Sequence, residues 1–287
     1  MYKNRLESIL ASLEIYRSKI INNELVYYDE EANMKDTQRY YHRFKFQLPS
    51  SRKKFFQLHT IVRNSHKNIL PYFISKDEYL YTWVDLQPNG IVKNIYSGEE
   101  MKPADLIKQD FEVQIRHVDY ERLQPKENTT ELISIDLKFN AEHIVPQSWF
   151  SGREPMKGDL HHLFACDPQC NAIRSNFEYH DFVNYSPESP NENIRNHCGV
   201  ASFELFEPEY GKGTIARAML YFILRYPDGI RKSFRKKVDF TLLRKWNQQF
   251  PPSIYEKHRN QAIFHIQGNR NPFIDYPELI DEFYFPL

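Results

Sequence analysis

Three residues near the middle of the chain combine a base, a carboxylate and an amide oxygen. Glu142 and His143 are adjacent, and Asn171 follows further along. An ordinary imidazole is largely neutral near pH 7 and accepts a proton, whereas carboxylate and amide oxygens bind hard cations. These are the groups needed to hydrolyse a phosphodiester with one metal ion. Mg²⁺ is the expected ion because it retains waters and takes phosphate oxygens, with Ca²⁺ or Mn²⁺ as substitutes.

The first two of these residues are predicted to lie at the end of a β-strand. The apolar, β-branched run 132–137 predicts the strand, and Pro146 prevents it from continuing. In a regular strand, Glu142 and His143 would point to opposite faces. Both serve one cleft only if the chain bends where the strand ends.

A second strand and a helix are predicted to complete the unit. The run 158–164 predicts the strand. Asp167 and Pro168 then predict an N-cap and a first helical residue, so that Asn171 lies in the first turn. Arg174 follows Asn171 by three positions and shares its helix face. It is predicted to contact a phosphate or the carboxylate of the site, although a structural ion pair explains it equally well.

Other polar residues are candidates for supporting roles. Asp159 and His162 fall on the predicted second strand, and Glu154 falls in the preceding loop. The chain carries 38 basic and 38 acidic residues, so any attraction to a polyanion must come from local clustering. The best cluster is a short basic run, for which a solvated face is the alternative: Arg231, Lys232, Arg235, Lys236 and Lys237.

The cysteine content leaves several states open. With three cysteines, at least one thiol is unpaired in a monomer, and this favours a reducing compartment. Three states are open for the cysteines 166, 170 and 198: free thiols, a disulfide, or a zinc site that also uses His197. The loose spacing argues against zinc, and free thiols are favoured. The sequence shows no membrane span and no secretory signal as written.

The wider pattern predicts an α+β fold in which helices pack around a small antiparallel ββα element. Helices are predicted at 5–21, 55–62, 214–226 and from 241, and a hairpin is predicted on either side of the turn 88–90. Residues 1–40 are predicted to form a helical N-terminal extension, and residues 41–287 a single domain.

Several ordered blocks resemble the endonuclease I family, whose site is a ββα-metal (His-Me) finger. They include EHIVPQSWF from Glu142, NAIRSNF from Asn171 and GTIARAMLYFILRYP from Gly213, and the likeness extends over roughly 54–279. The resemblance implies that His143 is the general base and that Glu142 and Asn171 hold the metal ion. It also implies export, although the cysteines 166 and 170 and the stretch before Tyr40 depart from the family pattern.

The resemblance implies a nuclease that cuts DNA, RNA or both with little sequence specificity and leaves 5′-phosphate ends. Two alternatives stay open: a catalytically dead nuclease fold that binds nucleic acid, and a zinc-stapled HNH-type nuclease with a defined target. The sequence does not decide between DNA and RNA, nor does it determine the compartment or the oligomeric state.

Overall fold

The chain folds as an α+β protein in which helices surround small β-sheets. The structure, a computed structural model, describes residues 2–123, 139–185 and 198–286. The predicted strand 132–137 and the residue His197 lie outside these ranges. The helices in the first half are α1 (Tyr2–Asn22), α2 (Glu24–Tyr27), α3 (Glu30–Tyr40), α4 (Ser51–Ser65), α5 (Tyr72–Ile74) and α6 (Pro103–Leu123).

The second half of the chain is also mainly helical, with short strands between the helices. Its helices are α7 (Gln147–Phe150), α8 (Pro168–Arg174), α9 (Lys212–Arg225), α10 (Phe240–Gln249), α11 (Ile254–Gln267), α12 (Pro272–Asp275) and α13 (Leu279–Glu282). The strands are β1 (Val92–Lys93), β2 (Glu100–Met101), β3 (Ala141–His143), β4 (Leu163–Ala165), β5 (Glu178–Tyr179), β6 (Val200–Ser202) and β7 (Leu205–Glu207).

The helices predicted from periodicity are confirmed as α1, α4, α9 and α10. Helix α9 is almost entirely buried and packs against α4 and α10 in the larger of two hydrophobic clusters. It starts after Gly211, whose φ is 77°, and a Cβ there would lie 2.4 Å from the carbonyl oxygen of Ile95. The start of this helix therefore requires glycine.

The predicted hairpin around 88–90 is confirmed only at its turn, where Leu86 and Val92 form one antiparallel bridge, and is wrong for its arms. Its first arm belongs to a π-helix, Ser75–Val84, which buries Leu80, Tyr81 and Val84 in the second cluster. The strand Val92–Lys93 pairs instead with Glu100–Met101. A short apolar run is compatible with either helix or strand, and packing against α1 and α6 selected the helix here.

The N-terminal helices pack on this second cluster. Ile9, Leu13, Ile20 and Tyr27 are buried in it, and the Tyr27 hydroxyl donates to the carbonyl oxygen of Leu86 at 2.9 Å. The division at residue 40 stays a prediction. No helix within the described ranges is both long and apolar enough to cross a membrane.

Strands β3 and β4 form the antiparallel hairpin that carries the candidate site. Glu142 lies opposite Phe164 and His143 opposite Leu163. The second strand starts later than predicted, because Asp159 caps a 3₁₀-helix, Leu160–His162, through a bond from the His161 N–H at 3.1 Å. The prediction that Asp159 and His162 lie on a strand is therefore wrong.

The hairpin lies between the two hydrophobic clusters. Successive side chains along each strand point to opposite faces, and the face decides which cluster a side chain packs in. Ala141, Leu163 and Ala165 pack in the second cluster, whereas Phe164 packs in the first. On the far side of β4, Arg259 of α11 donates to the Leu163 carbonyl oxygen at 3.0 Å and forms an ion pair with Asp85. The hairpin is thus held by packing on both faces and by hydrogen bonds from α11.

Burial makes one histidine beside this hairpin a source of acid sensitivity. Desolvation lowers the pKa of His161 to about 4, although Asp159 opposes the shift. The unfolded chain, with a pKa near 6.5, then binds the proton first, so the stabilisation is complete above pH 6.5 and is lost as pH falls towards 4. Between pH 6.5 and pH 4, the free energy of unfolding of wild type should fall with decreasing pH. We expect this slope to be smaller in His161→Phe, by up to about 1.4 kcal/mol per pH unit.

Urea unfolding of both proteins at pH 7 and pH 5 measures this difference. His265→Gln, which changes an exposed histidine, is the matched control and should keep the wild-type slope. Equal slopes for His161→Phe and wild type would contradict the prediction.

Candidate active site

The end of β3 opens into a cleft of about 350 Å³. Glu142, His143, Gln147, Asn171 and Arg174 all line it. Strand β3 ends at His143, the chain bends through Ile144 and Val145, and α7 follows Pro146. The predicted bend is confirmed, and because of it two consecutive side chains face one cavity.

His143 is held so that one ring nitrogen is a proton acceptor. Its Nε2 lies 2.8 Å from the carbonyl oxygen of Lys157, which only accepts hydrogen bonds, so Nε2 carries the proton. The amide nitrogen of Gln147 lies 3.3 Å from Nδ1 and donates to it. Burial lowers the pKa of His143 to about 3, and His162 contributes to the shift. The imidazole is therefore neutral at pH 7, with its lone pair on Nδ1.

Glu142 is buried but its charge is compensated. Its Oε1 accepts a hydrogen bond from the Tyr96 hydroxyl at 2.8 Å and lies 3.4 Å from Nη1 of Arg174. A hydrogen-bond donor and a guanidinium both favour the ionised carboxylate. The cleft thus contains a carboxylate that is 5% exposed.

Asn171 approaches the same cleft from helix α8. The predicted cap is confirmed, because the Asp167 carboxylate accepts from the N–H groups of Gln169 and Cys170 and Pro168 is the first helical residue. The Asn171 side-chain nitrogen donates to the carbonyl oxygen of Ala141 at 3.0 Å. This bond joins α8 to β3 and leaves the amide oxygen as the group that could bind a ligand.

Arg174 is fully buried beneath the cleft. Its Nη2 donates to the carbonyl oxygen of Ile144 at 2.7 Å, and its guanidinium lies 4.8 Å from the ring centroid of Tyr179. With the Glu142 contact, these bonds hold the end of β3 in place. The sequence left open whether Arg174 contacts a phosphate or the carboxylate of the site. The structure contains the contact with the Glu142 carboxylate.

The three supporting candidates lie behind His143. Glu154 accepts from the N–H groups of Tyr72 at 2.9 Å and Gly158 at 2.8 Å, and so fixes the loop whose Lys157 carbonyl binds His143. His162 bonds the Met156 carbonyl oxygen at 2.5 Å, and its ring centroid is 5.4 Å from that of His143. Both act on the cleft through other residues.

Asp159 lies deeper in the protein. It accepts hydrogen bonds from the hydroxyls of Tyr221 at 2.7 Å and Tyr226 at 2.9 Å. The carboxylate therefore ties the loop before β4 to helix α9. Its contacts are structural, and Asp159 does not line the cleft.

Sequence reasoning missed three groups that touch the site. Tyr96 lies far from the hairpin in the chain, and although the segment 96–98 resembles the endonuclease I pattern, that likeness assigned it no role. The Lys157 carbonyl lies in an irregular segment and has no local signal. Gln147 did carry a local signal. It is the first residue after Pro146 and follows His143 by four positions, which places it close to the histidine. It was not recognised.

The basic run lies beside the cleft on a 3₁₀-helix, Lys232–Lys237. Arg231 donates to the carbonyl oxygen of Ser148, which lines the cleft, at 3.4 Å. Arg235 pairs with Asp228 at 3.5 Å, and Lys237 pairs with Glu204 at 3.0 Å. Lys232 and Lys236 are exposed.

Cys170 and Cys198 form a disulfide, and Cys166 is a buried free cysteine. The preference for free thiols is therefore wrong for two of the three residues. The zinc alternative is also wrong, because a disulfide removes both thiolates that such a site would need. The bond anchors α8, which carries Asn171, to the start of β6.

The donor set of the cleft fits a hard cation that keeps part of its water shell. Within the described ranges, no group of three or more histidine, cysteine, aspartate or glutamate side chains could hold a metal. Glu142 and Asn171 instead offer one carboxylate and one amide oxygen in an open cleft. Mg²⁺ binds in this manner, through one or two protein oxygens with waters and substrate phosphates.

A neutral imidazole, a carboxylate and an amide oxygen around a cleft, on a β-hairpin followed by a helix, define a site suited to phosphate-ester hydrolysis. Comparison with known sequences agrees with this class. The chain belongs to the endonuclease I family, whose sequence model matches residues 56–278.

Characterised relatives match about half of the chain. It is 33% identical over 159 residues to an extracellular ribonuclease of Bacillus amyloliquefaciens, covering 50% of this chain and 53% of the relative. It is 31% identical over 157 residues to an extracellular deoxyribonuclease of Aeromonas hydrophila, covering 47% and 64%. A periplasmic deoxyribonuclease of the same organism is 31% identical over 155 residues, covering 47% and 62%. The matches thus span between about half and two thirds of these relatives' length.

Proposed function

We propose that this protein is a metal-dependent endonuclease that hydrolyses phosphodiester bonds with His143 as general base. The supporting observation is the hydrogen bonding of His143. Nε2 is bonded to a carbonyl oxygen, which leaves the lone pair on Nδ1, and His143 lines a cleft that also holds Glu142 and Asn171. Family membership supports the reaction class.

The reaction requires one proton transfer by the chain itself. Nδ1 of His143 takes a proton from a water, and the water oxygen forms a bond to phosphorus as the bond to the 3′ oxygen breaks. The departing oxygen takes a proton from solvent, and the new end is a 5′ phosphate. The Lys157 carbonyl orients the ring and stabilises the imidazolium. The Gln147 amide, which lies 3.3 Å from Nδ1, has to move aside before Nδ1 takes the proton.

Glu142 and Asn171 would hold Mg²⁺, with Ca²⁺ or Mn²⁺ as substitutes. The ion would supply positive charge against the charge that develops on the phosphate. Tyr96 and Arg174 keep the Glu142 carboxylate in position, and the Ala141 carbonyl orients the Asn171 amide. Arg174 is thus a positioning residue in this proposal.

The substrates are DNA, RNA or both, since the named relatives include a ribonuclease and deoxyribonucleases. Incubation with supercoiled plasmid and with RNA, first in Mg²⁺ and then in excess chelator, tests the proposal. Cleavage in Mg²⁺ alone supports it. A protein that binds both substrates and cuts neither is the catalytically dead fold. Sequencing the product ends tests specificity, because a sharp consensus would indicate a defined target.

The same comparisons and the disulfide support an inference about the compartment. Relatives are named extracellular or periplasmic, and stable disulfides form in oxidising compartments. We therefore infer that the protein acts outside the reducing cytoplasm.

The basic run beside the cleft is expected to hold the nucleic-acid backbone without reading its sequence. Phosphate contacts release counterions, so that log affinity falls with log salt by about 0.9 per phosphate neutralised on duplex DNA. We expect the double variant Lys232→Gln, Lys236→Gln to lose about one to two phosphate contacts, which lowers the magnitude of this slope by about 0.9 for each contact. Binding should weaken equally on unrelated sequences. Affinity measured across salt in chelator tests this, and an unchanged slope would mean that the run is only a solvated surface.

A further inference from the structure

A second cavity of about 350 Å³ is lined in part by the loop that follows α7. Three arginines from different elements line it: Arg63 of α4, Arg153 of the loop and Arg225 at the end of α9. We call this cavity the arginine pocket. His59 and Asp228 also line it.

The three arginines of the arginine pocket outnumber the two carboxylates, Glu154 and Asp228, that also line it. Within the described ranges, none of its three arginines forms an ion pair with a carboxylate. Arg225 is only 8% exposed, and its Nε has no hydrogen-bond partner there. A buried guanidinium donor without an acceptor is costly, and an anion would remove that cost.

The two acidic residues at the pocket are already engaged. Both oxygens of Glu154 accept backbone N–H groups, from Tyr72 and Gly158. Asp228 lies 3.5 Å from Arg235, outside the pocket. The Nε of Arg153 already donates to the carbonyl oxygen of Phe150 at 3.3 Å. The remaining guanidinium donors of Arg63, Arg153 and Arg225 are the ones nearest to an incoming anion.

The arginine pocket and the catalytic cleft share one segment of chain. Ser148 lines the cleft and Arg153 lines the pocket. Five residues of chain span at most roughly 17 Å, the axial rise of about five base pairs of a duplex. The basic run bridges the two cavities, because Arg231 contacts Ser148 and Arg235 contacts Asp228.

We propose that the arginine pocket binds a backbone phosphate of the nucleic-acid strand, a few nucleotides from the bond that is cut. Guanidiniums suit this role because their planar donors match phosphate oxygens in pairs. The ligand chemistry is that of a phosphate group, and the proposal assigns it to the strand rather than to free phosphate. It rests on the proposed nuclease function for the identity of the strand.

The test neutralises the two exposed arginines, Arg63→Gln with Arg153→Gln, and leaves the buried Arg225 in place. The matched control removes two exposed arginines from other helices, Arg39→Gln with Arg116→Gln. Affinity for a 20-base-pair duplex is measured in chelator across salt, so that no cleavage is required. We expect the pocket variant to bind about tenfold more weakly and to lose about 0.9 from the salt slope, while the control changes little.

Two further measurements separate the sources of phosphate and the two proposals. Cleavage of a trinucleotide, too short to reach the pocket, should stay within about twofold of wild type, whereas KM for the duplex should rise. Inorganic phosphate is titrated alone: if the pocket variant loses phosphate binding but keeps duplex affinity, the strand assignment is overturned. Equal effects of pocket and control variants on duplex affinity overturn the pocket itself. A wild type that binds duplex through the pocket but never cleaves would overturn only the nuclease proposal.

Discussion

His143→Ala is expected to reduce phosphodiester cleavage by about 10² to 10⁴-fold while affinity for duplex DNA in chelator stays within a few-fold of wild type. The reason is that Nδ1 is proposed to take the proton from water, and His143, which is 3% exposed, offers little surface to a ligand. Single-turnover cleavage of plasmid and binding of a labelled duplex measure the two effects separately.

Two controls protect this prediction from a folding artefact. His265→Ala removes an exposed histidine on α11 and should cleave like wild type. Circular dichroism and thermal unfolding of His143→Ala check that the overall fold is retained, and added imidazole should partly restore cleavage by a variant that lacks only the base. A folded His143→Ala protein that cleaves within a few-fold of wild type would show that the histidine is structural.

Asn171→Ala is expected to raise the Mg²⁺ concentration needed for half-maximal cleavage by roughly 10 to 100-fold or more. The variant removes one of two protein oxygens proposed to hold the ion, and the remaining carboxylate, Glu142, is shared with Tyr96 and Arg174. Cleavage rate as a function of Mg²⁺ gives the measurement, and Glu142→Ala should shift it in the same direction.

Asn171→Asp is the matched control, because it restores an oxygen donor at the same position while losing the hydrogen bond to Ala141. It should need much less Mg²⁺ than Asn171→Ala. If both variants lose activity equally and extra Mg²⁺ restores neither, the residue holds α8 to β3 and is no metal ligand. Wild-type activity that persists in excess chelator would exclude the metal-dependent mechanism.

Features that depend on neighbours in the chain were predictable from the sequence. Asp167 and Pro168 start α8 because a side-chain acceptor and a fixed φ suit the first turn of any helix. Pro146 marks the bend after β3, and the apolar stripe of α9 marks a core helix. These rules act over a few residues, so they placed Glu142, His143 and Asn171 on the right elements.

The state of those residues was decided only by the tertiary structure. The proton on Nε2 of His143 depends on a carbonyl at Lys157, and the orientation of the Glu142 carboxylate depends on Tyr96, 46 positions away in the chain. The same holds for the Cys170–Cys198 disulfide and for the π-helix that replaced a predicted strand. Local sequence patterns carry no information about which distant group packs against a side chain, and burial beside that group determines protonation, orientation and pairing.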